Sequence, residues 1–321
     1  MSDFSSFFRK KVHIFSSASC NIHITALYYA IMKKFEFNGK KVACVVLMSG
    51  SGSNAEALIA YERLSENCPY HVAALVTDAP EESRAREIAA VSGLPLVEHD
   101  IRNFYREHGE ESTRLDSPRR CELRELWSDQ LYEKIMAYAP EFACFAGFIP
   151  LSNIASRIPC LNVHPGDLTR CDSEDRRLYA GLHVLPVEKA ILNGEKSLRS
   201  SVILVQPYSG SGEKEMDAGP VLGVSSPLDV DTKGIPLEKL CTMKNARQKG
   251  GKCCDELRQM ALEHIDRLKI AGDHVVFPRV VAEFAAGAYA VDGNGELYYR
   301  GEKVLSVQFS GNEPPVKLLK S

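Results

Sequence analysis

An apolar run, Val42-Ala43-Cys44-Val45-Val46-Leu47-Met48, passes directly into Ser49-Gly50-Ser51-Gly52-Ser53-Asn54 and then into the helix-like Ala55-Glu56-Ala57-Leu58-Ile59-Ala60-Tyr61. A buried strand, a turn of small residues and a helix start make a βα unit. Small residues let backbone N–H groups approach an anion, and a helix N-terminus favours negative charge. The same unit also serves as a plain tight turn. It is not a Walker loop, because no Gly-Lys-Ser/Thr follows, and it lacks the spacing of a dinucleotide fingerprint.

The alternation continues. Val72–Thr77, Leu96–Glu98, Phe142–Phe148 and Cys160–Val163 read as strands. Helical patterns fall at Asn54–Ser65, at Ser83–Ser92 with Gly93 as its stop, at Arg124–Tyr138 before Pro140, and in the turn Ile154–Arg157. Short apolar strands alternating with helices predict an α/β fold with a doubly wound, mostly parallel sheet. The rhythm changes after residue 165. Gly166–Leu178 is a charged loop, Leu185–Asn193 a helix, and Ser201–Val205 and Val221–Val224 are strands. Met243–Cys254 reads as a basic, mobile insertion. Asp255–Leu268 and Val275–Phe284 read as helices, and Gly295–Tyr299 with Lys303–Phe309 as a closing C-terminal hairpin. Residues 1–35 are expected to be a disordered N-terminal extension, with Met32 an alternative start. Residues 36–310 form the domain, and 311–321 a ragged tail.

The chain's 321 residues include 45% hydrophobic and 25% charged residues, with a net charge of −3. That balance suits a globule with a sizeable core and offers no general nucleic-acid-binding surface. No run approaches the roughly 18 apolar residues of a bilayer span. The 10 cysteines are scattered, without paired or metal-ligand spacing, which points to free thiols in a reducing cytoplasm and to no metal site.

Asn162-Val163-His164-Pro165 closes a strand. Side chains at i and i+2 share a face, so Asn162 and His164 point the same way. The carboxyl end of a parallel strand is where α/β sheets place their sites. An amide donor beside an imidazole suits acyl transfer, holding a carbonyl oxygen and stabilising the oxyanion that forms. A strand-end Asn capping the next turn beside a hydrogen-bonded His is the plainer alternative. Asp217, between Met216 and Ala218-Gly219-Pro220, is a partly desolvated carboxylate suited to orienting an imidazole and receiving a proton. It also suits an ordinary turn. Arg84 and Arg86 could approach a phosphate but read first as a solvated helix face, Arg119-Arg120 and Arg176-Arg177 as exposed loop charges, and Trp127 and His274 as structural.

The Ser-Gly-Ser-Gly-Ser-Asn turn is followed in order by Ala146-Gly147-Phe148, Leu161-Asn162-Val163-His164-Pro165, Tyr179-Ala180-Gly181-Leu182-His183 and Met216-Asp217-Ala218-Gly219-Pro220. Together these resemble the folate-dependent formyltransferases over residues 40–310, with the closest likeness to the phosphoribosylglycinamide formyltransferases of purine synthesis. The resemblance implies a Rossmann-like formyltransferase fold. It implies formyl transfer from 10-formyltetrahydrofolate, as co-substrate, to a primary amine such as glycinamide ribonucleotide. Asn162 would bind the formyl oxygen and His164 would stabilise the tetrahedral oxyanion. Asp217 would keep the imidazole charged and relay the proton. Gly52, Ser53 and Asn54 would hold the substrate phosphate, and Phe148, Ile149 and Leu151 would line the folate pocket. The implied partners are small molecules, with no nucleic acid or membrane. Departures stand at Pro150, where the family has an arginine, and at Ile203 and Leu185, where it has histidines. The loops at 166–178, 210–215 and 243–251 are longer or inserted. The alternatives are another amine acceptor, formyl-folate hydrolysis, or a non-catalytic binding module on the same scaffold.

Overall fold

The computed structural model describes residues 33–35, 37, 41–207, 217–247 and 254–320. The expectations for residues 1–32 and 208–216, and for half of the basic insertion (248–253), lie outside the described residues. The chain runs β1 (Lys33–Lys34), β2 (Val42–Met48), α1 (Ser53–Leu64), β3 (Tyr70–Thr77), α2 (Ala85–Ser92), β4 (Leu96–Glu98), α3 (Ile101–Glu107), α4 (Pro118–Met136), β5 (Phe142–Phe145), a 3-10 turn (Asn153–Ser156) and β6 (Cys160–His164). It continues with α5 (Leu185–Leu192), β7 (Ser197–Leu198), β8 (Ser201–Leu204), β9 (Val221–Ser225), β10 (Leu228–Asp229), α6 (Leu237–Asn245), α7 (Glu256–Leu268), a π turn (Lys269–Asp273) and α8 (His274–Ala285). Five strands close it: β11 (Tyr289–Val291), β12 (Leu297–Tyr299), β13 (Glu302–Val304), β14 (Ser306–Phe309) and β15 (Val316–Leu318).

The main sheet has nine strands in the order β15-β14-β9-β8-β6-β5-β2-β3-β4. From β6 to β4 every pairing is parallel. β8 runs antiparallel between β6 and β9, and β14 returns parallel to β9. The sheet is therefore mostly parallel, as the βαβα rhythm predicts. Its central strands are buried on both faces. Val45 and Leu47 face the layer that holds Trp127, while Cys44, Val46 and Met48 face the layer of α1 and α8. Continuous apolar runs without polar alternation are the expected pattern for such strands.

Helix boundaries follow local chemistry. Asp100 caps α3 by accepting from Asn103 N, and Ser117 caps α4 ahead of Pro118, which sits in the first turn. α4 thus starts six residues before the expected Arg124, because its polar N-terminal turns carry no apolar period. Gly93 ends α2 with φ 66, as predicted.

The C-terminal expectation needs correction. Glu302–Val304 does form a hairpin with β12, in a separate four-stranded sheet ordered β1-β11-β12-β13. The chain then leaves that sheet at Leu305, and β14 joins the main one. Nor is the segment after Gly311 ragged: β15 pairs antiparallel with β14. At the other end, Phe35, inside the expected extension, is buried against Phe284 with ring centroids 4.7 Å apart. Among the described residues no helix is long and apolar enough to cross a membrane.

Candidate active site

The turn after β2 reaches α1 through Gly52, whose φ is +72. No side chain caps α1, so its first N–H groups are open to a ligand. Arg84 braces the turn from outside. Its backbone N–H donates to Gly50 O, and its guanidinium donates to Ser51 O at 3.2 Å and pairs with Glu56 and Glu87. Both Arg84 and Arg86 are exposed, as expected.

Asn54 donates from Nδ2 to Asp273 Oδ2 at 3.1 Å, and Ser200 Oγ donates to the other carboxylate oxygen. Asp273 is 5% exposed, and burial pushes its carboxyl above the usual range despite these two donors. The Oδ1 of Asn54 is buried without a partner among the described residues. Asp273 escaped the sequence reading because it lies in a π turn, where helical periodicity breaks. The only sequence signal was its place beside His274.

At the end of β6, Asn162 pairs in register with Ile203 and His164 with Ser201. His164 Nδ1 lies 3.4 Å from Asp217 Oδ2, with both side chains 5% exposed. His164 Nε2 lies 2.7 Å from the carbonyl oxygen of Tyr179. Both neighbours are acceptors, so the ring satisfies both only when each nitrogen carries a proton. Asp217 Oδ2 also accepts from Gly181 N at 3.1 Å.

Asp217 itself has φ 59, a left-handed conformation that a non-glycine residue adopts at a cost. Two residues on, Gly219 has φ +141, and a Cβ there would sit 1.9 Å from Leu204 O, so no other residue fits.

The loop after β5 is pinned to the first one. Ser49 Oγ donates to Asp78 and accepts from Ile149 N at 2.9 Å. Phe148 is buried against Trp127, ring centroids 6.2 Å apart, while Ile149 is 52% exposed. Arg124, 5% exposed, donates to the carbonyls of Leu151 and Thr113 and so fixes the end of this loop.

One cavity of ≈ 630 Å³ is lined by all of the residues singled out from sequence: Gly52, Ser53, Asn54, Phe148, Ile149, Leu151, Asn162, His164 and Asp217. Two of the departures, Pro150 and Ile203, line it as well, whereas Leu185 does not. The sequence reading missed one wall. Arg258, Leu262, Ile265 and Lys269 recur at helical spacing along α7 and its π turn, and all four reach the cavity. Arg177 corrects an expectation. It is not a free loop charge: its guanidinium is half-buried and donates to the carbonyls of Asp217 and Gly219. Among the described residues no group of three or more His, Cys, Asp or Glu is arranged to hold a metal ion.

An amide, a buried imidazole–carboxylate pair and an uncapped helix start around one cavity can bind a carbonyl oxygen and an anion and can move a proton. Fold and cavity together define a Rossmann-like α/β protein with one large ligand cavity at the carboxyl ends of its parallel strands. Solved structures with this fold include a phosphoribosylglycinamide formyltransferase from Coxiella burnetii, with TM-score 0.55 and 21% identity over 84% of this chain and 99% of that one. Glycinamide ribonucleotide transformylase 1 from Symbiobacterium toebii gives 0.53 and 20% over 83% and 98%. The phosphoribosylglycinamide formyltransferase of Anaplasma phagocytophilum gives 0.54 and 20% over 84% and 99%. The sequence matches no family model. It matches no curated protein either. Likeness at this identity establishes the fold.

Proposed function

We propose that this protein transfers a formyl group from 10-formyltetrahydrofolate to a primary amine, with glycinamide ribonucleotide as the acceptor. One observation carries the reading. The phosphate-type turn, the apolar Phe148–Leu151 loop and the His164–Asp217 pair, each read separately from sequence, line a single cavity.

In the proposed reaction the acceptor nitrogen attacks the formyl carbon. Asn162 donates its amide to the formyl oxygen, and His164 stabilises the oxyanion that develops. The amine's excess proton passes by way of Asp217, and the bond to the folate N10 breaks as that nitrogen is protonated. The turn Gly52–Asn54 holds the acceptor's phosphate at the start of α1. Phe148, Ile149 and Leu151 give the donor's ring system an apolar surface.

The purified protein should release tetrahydrofolate when given both substrates, with formylated acceptor in equal amount. Release of tetrahydrofolate from the donor alone would instead indicate hydrolysis. Donor binding with no product over hours would indicate a non-catalytic module.

A second reading keeps the chemistry and changes the acceptor. Ile203 and Pro150 face the cavity where the resemblance leads one to expect a histidine and an arginine. A panel of phosphorylated primary amines decides between the two. A higher kcat/KM for another amine than for glycinamide ribonucleotide would favour the second.

A further inference from the structure

The segment Arg177–Gly181 touches the His164–Asp217 pair at three successive alternate residues. The Arg177 guanidinium donates to Asp217 O and Gly219 O. The Tyr179 carbonyl lies 2.7 Å from His164 Nε2. Gly181 N donates to Asp217 Oδ2 at 3.1 Å. The Tyr179 side chain anchors the middle of the segment, donating from its hydroxyl to Glu195 at 2.5 Å.

We infer that Arg177–Gly181 is a strap that sets the separation and orientation of His164 and Asp217, with Arg177 as its positioning residue. The inference rests on the reading of that pair as the working acid–base centre.

The physical case begins with the backbone. Asp217 and Gly219 are both held at positive φ, a conformation that persists only where its surroundings over-determine it. The turn is packed against Leu204 O on one side. On the other, its two outward carbonyls are gathered by a single planar group. A guanidinium suits this task because its donors diverge in a fixed fork, which a lysine ammonium lacks. Burial lowers the Arg177 pKa, so the cation is held there at a cost. Among the described residues no ion pair joins Arg177 to a carboxylate, and its side-chain hydrogen bonds go to this turn. A half-buried arginine spent on two backbone carbonyls, one of them belonging to the proposed proton carrier, is best explained by the position of that carrier. The arginine comes from the long charged loop 166–178.

The test separates positioning from folding. In Arg177→Ala the turnover of formyl transfer should fall about 10²-fold, the scale set by a displacement of about 1 Å in a reacting group. KM for donor and acceptor should stay unchanged, because no strap residue from Arg177 to Tyr179 is assigned to either substrate. Arg177→Lys should lie between wild type and Arg177→Ala. Ethylguanidinium in the assay should restore part of the lost turnover to Arg177→Ala and none to Asp217→Asn.

A second readout does not depend on turnover. The ring-nitrogen NMR signals of His164, assigned by their loss in His164→Asn, should shift in Arg177→Ala. Wild-type turnover in Arg177→Ala, or turnover lost without rescue and with unmoved His164 signals, would overturn the strap. If the wild-type protein makes no formylated product but the His164 signals move, the strap stands and the formyltransferase reading falls.

Discussion

Asn54, at the start of α1, and Asp273, at the end of the π turn, are 219 residues apart in the chain and share a hydrogen bond of 3.1 Å in the wall of the cavity. The bond joins the anion-type turn to the C-terminal helices. Asn54→Ala removes it and leaves the Asp273 carboxyl with Ser200 alone. In the proposed complex the acceptor's phosphate also loses the Asn54 side chain, and a hydrogen bond to a charged group contributes about 1.5 kcal/mol, so KM for the acceptor should rise about tenfold. KM for the donor should not change. Steady-state kinetics with each substrate varied in turn checks this, and an equal rise in both constants would remove the turn from the acceptor side.

Gly52→Ala acts on the same turn through the backbone. At φ +72 a side chain costs about 1–2 kcal/mol. The added Cβ would also meet Ile88 Cδ1 at 2.4 Å and Met48 Cε at 2.6 Å, both movable side-chain ends. Thermal unfolding should show that loss of stability, together with a raised acceptor KM.

Asp217→Asn keeps the shape and removes the charge. The Gly181 N–H can still donate to the amide oxygen, so the fold should hold. Turnover should fall about 10²-fold or more, the scale of general acid–base catalysis. Wild-type turnover in this variant would exclude Asp217 from the chemistry.

Asp273 gives a pH signature. Its pKa is raised in the fold by burial, so the native state binds a proton more tightly than the unfolded chain. The stability this supplies is complete below the ordinary carboxylate value of about 4 and is lost as pH rises through the folded value. Thermal unfolding across that window should show wild type gaining on Asp273→Asn as pH falls. A constant difference between the two would contradict the buried carboxyl.

His99 should behave in the opposite direction. Its ring stacks on Trp127 at 5.4 Å, its Nε2 faces Trp127 O, and burial, with Lys134 beside it, lowers its pKa to about 4. Below the ordinary value of about 6.5 the unfolded chain takes up a proton that the native ring refuses. Stability should therefore fall by about 3 kcal/mol between pH 6.5 and pH 4. His99→Gln should lack this slope, as followed by denaturant unfolding at each pH.

The parallel sheet was legible because its strands are buried on both faces, and runs such as Val42–Met48 leave no other reading. The pairing of Asn162 with His164 followed from the two-residue period of a strand, and their strand is β6. What escaped the sequence reading depends on contacts that no local pattern encodes. Asp273 sits where a π turn breaks the helical period, and its partners Ser200 and Asn54 lie far away in the chain. Arg177 looked like one more solvated charge among Asp and Glu neighbours, yet its chain bends back to the Asp217 turn. The hairpin boundary was misjudged because β13 and β14 are separated by Leu305 alone, and the switch between sheets leaves no compositional mark.

Ser49 occupies a position with a thermodynamic consequence. Its backbone N–H donates to Gly147 O, and its hydroxyl receives the Ile149 N–H while donating to buried Asp78. The loop on the anion side of the cavity and the apolar loop opposite are thus tied through one small side chain. A molecule that orders either loop lowers the entropy left for the other to lose, and linked equilibria are reciprocal. Two ligands in this cavity would feel each other through Ser49 even where they do not touch, and Ser49→Ala, which keeps only the backbone bond to Gly147, would weaken that coupling.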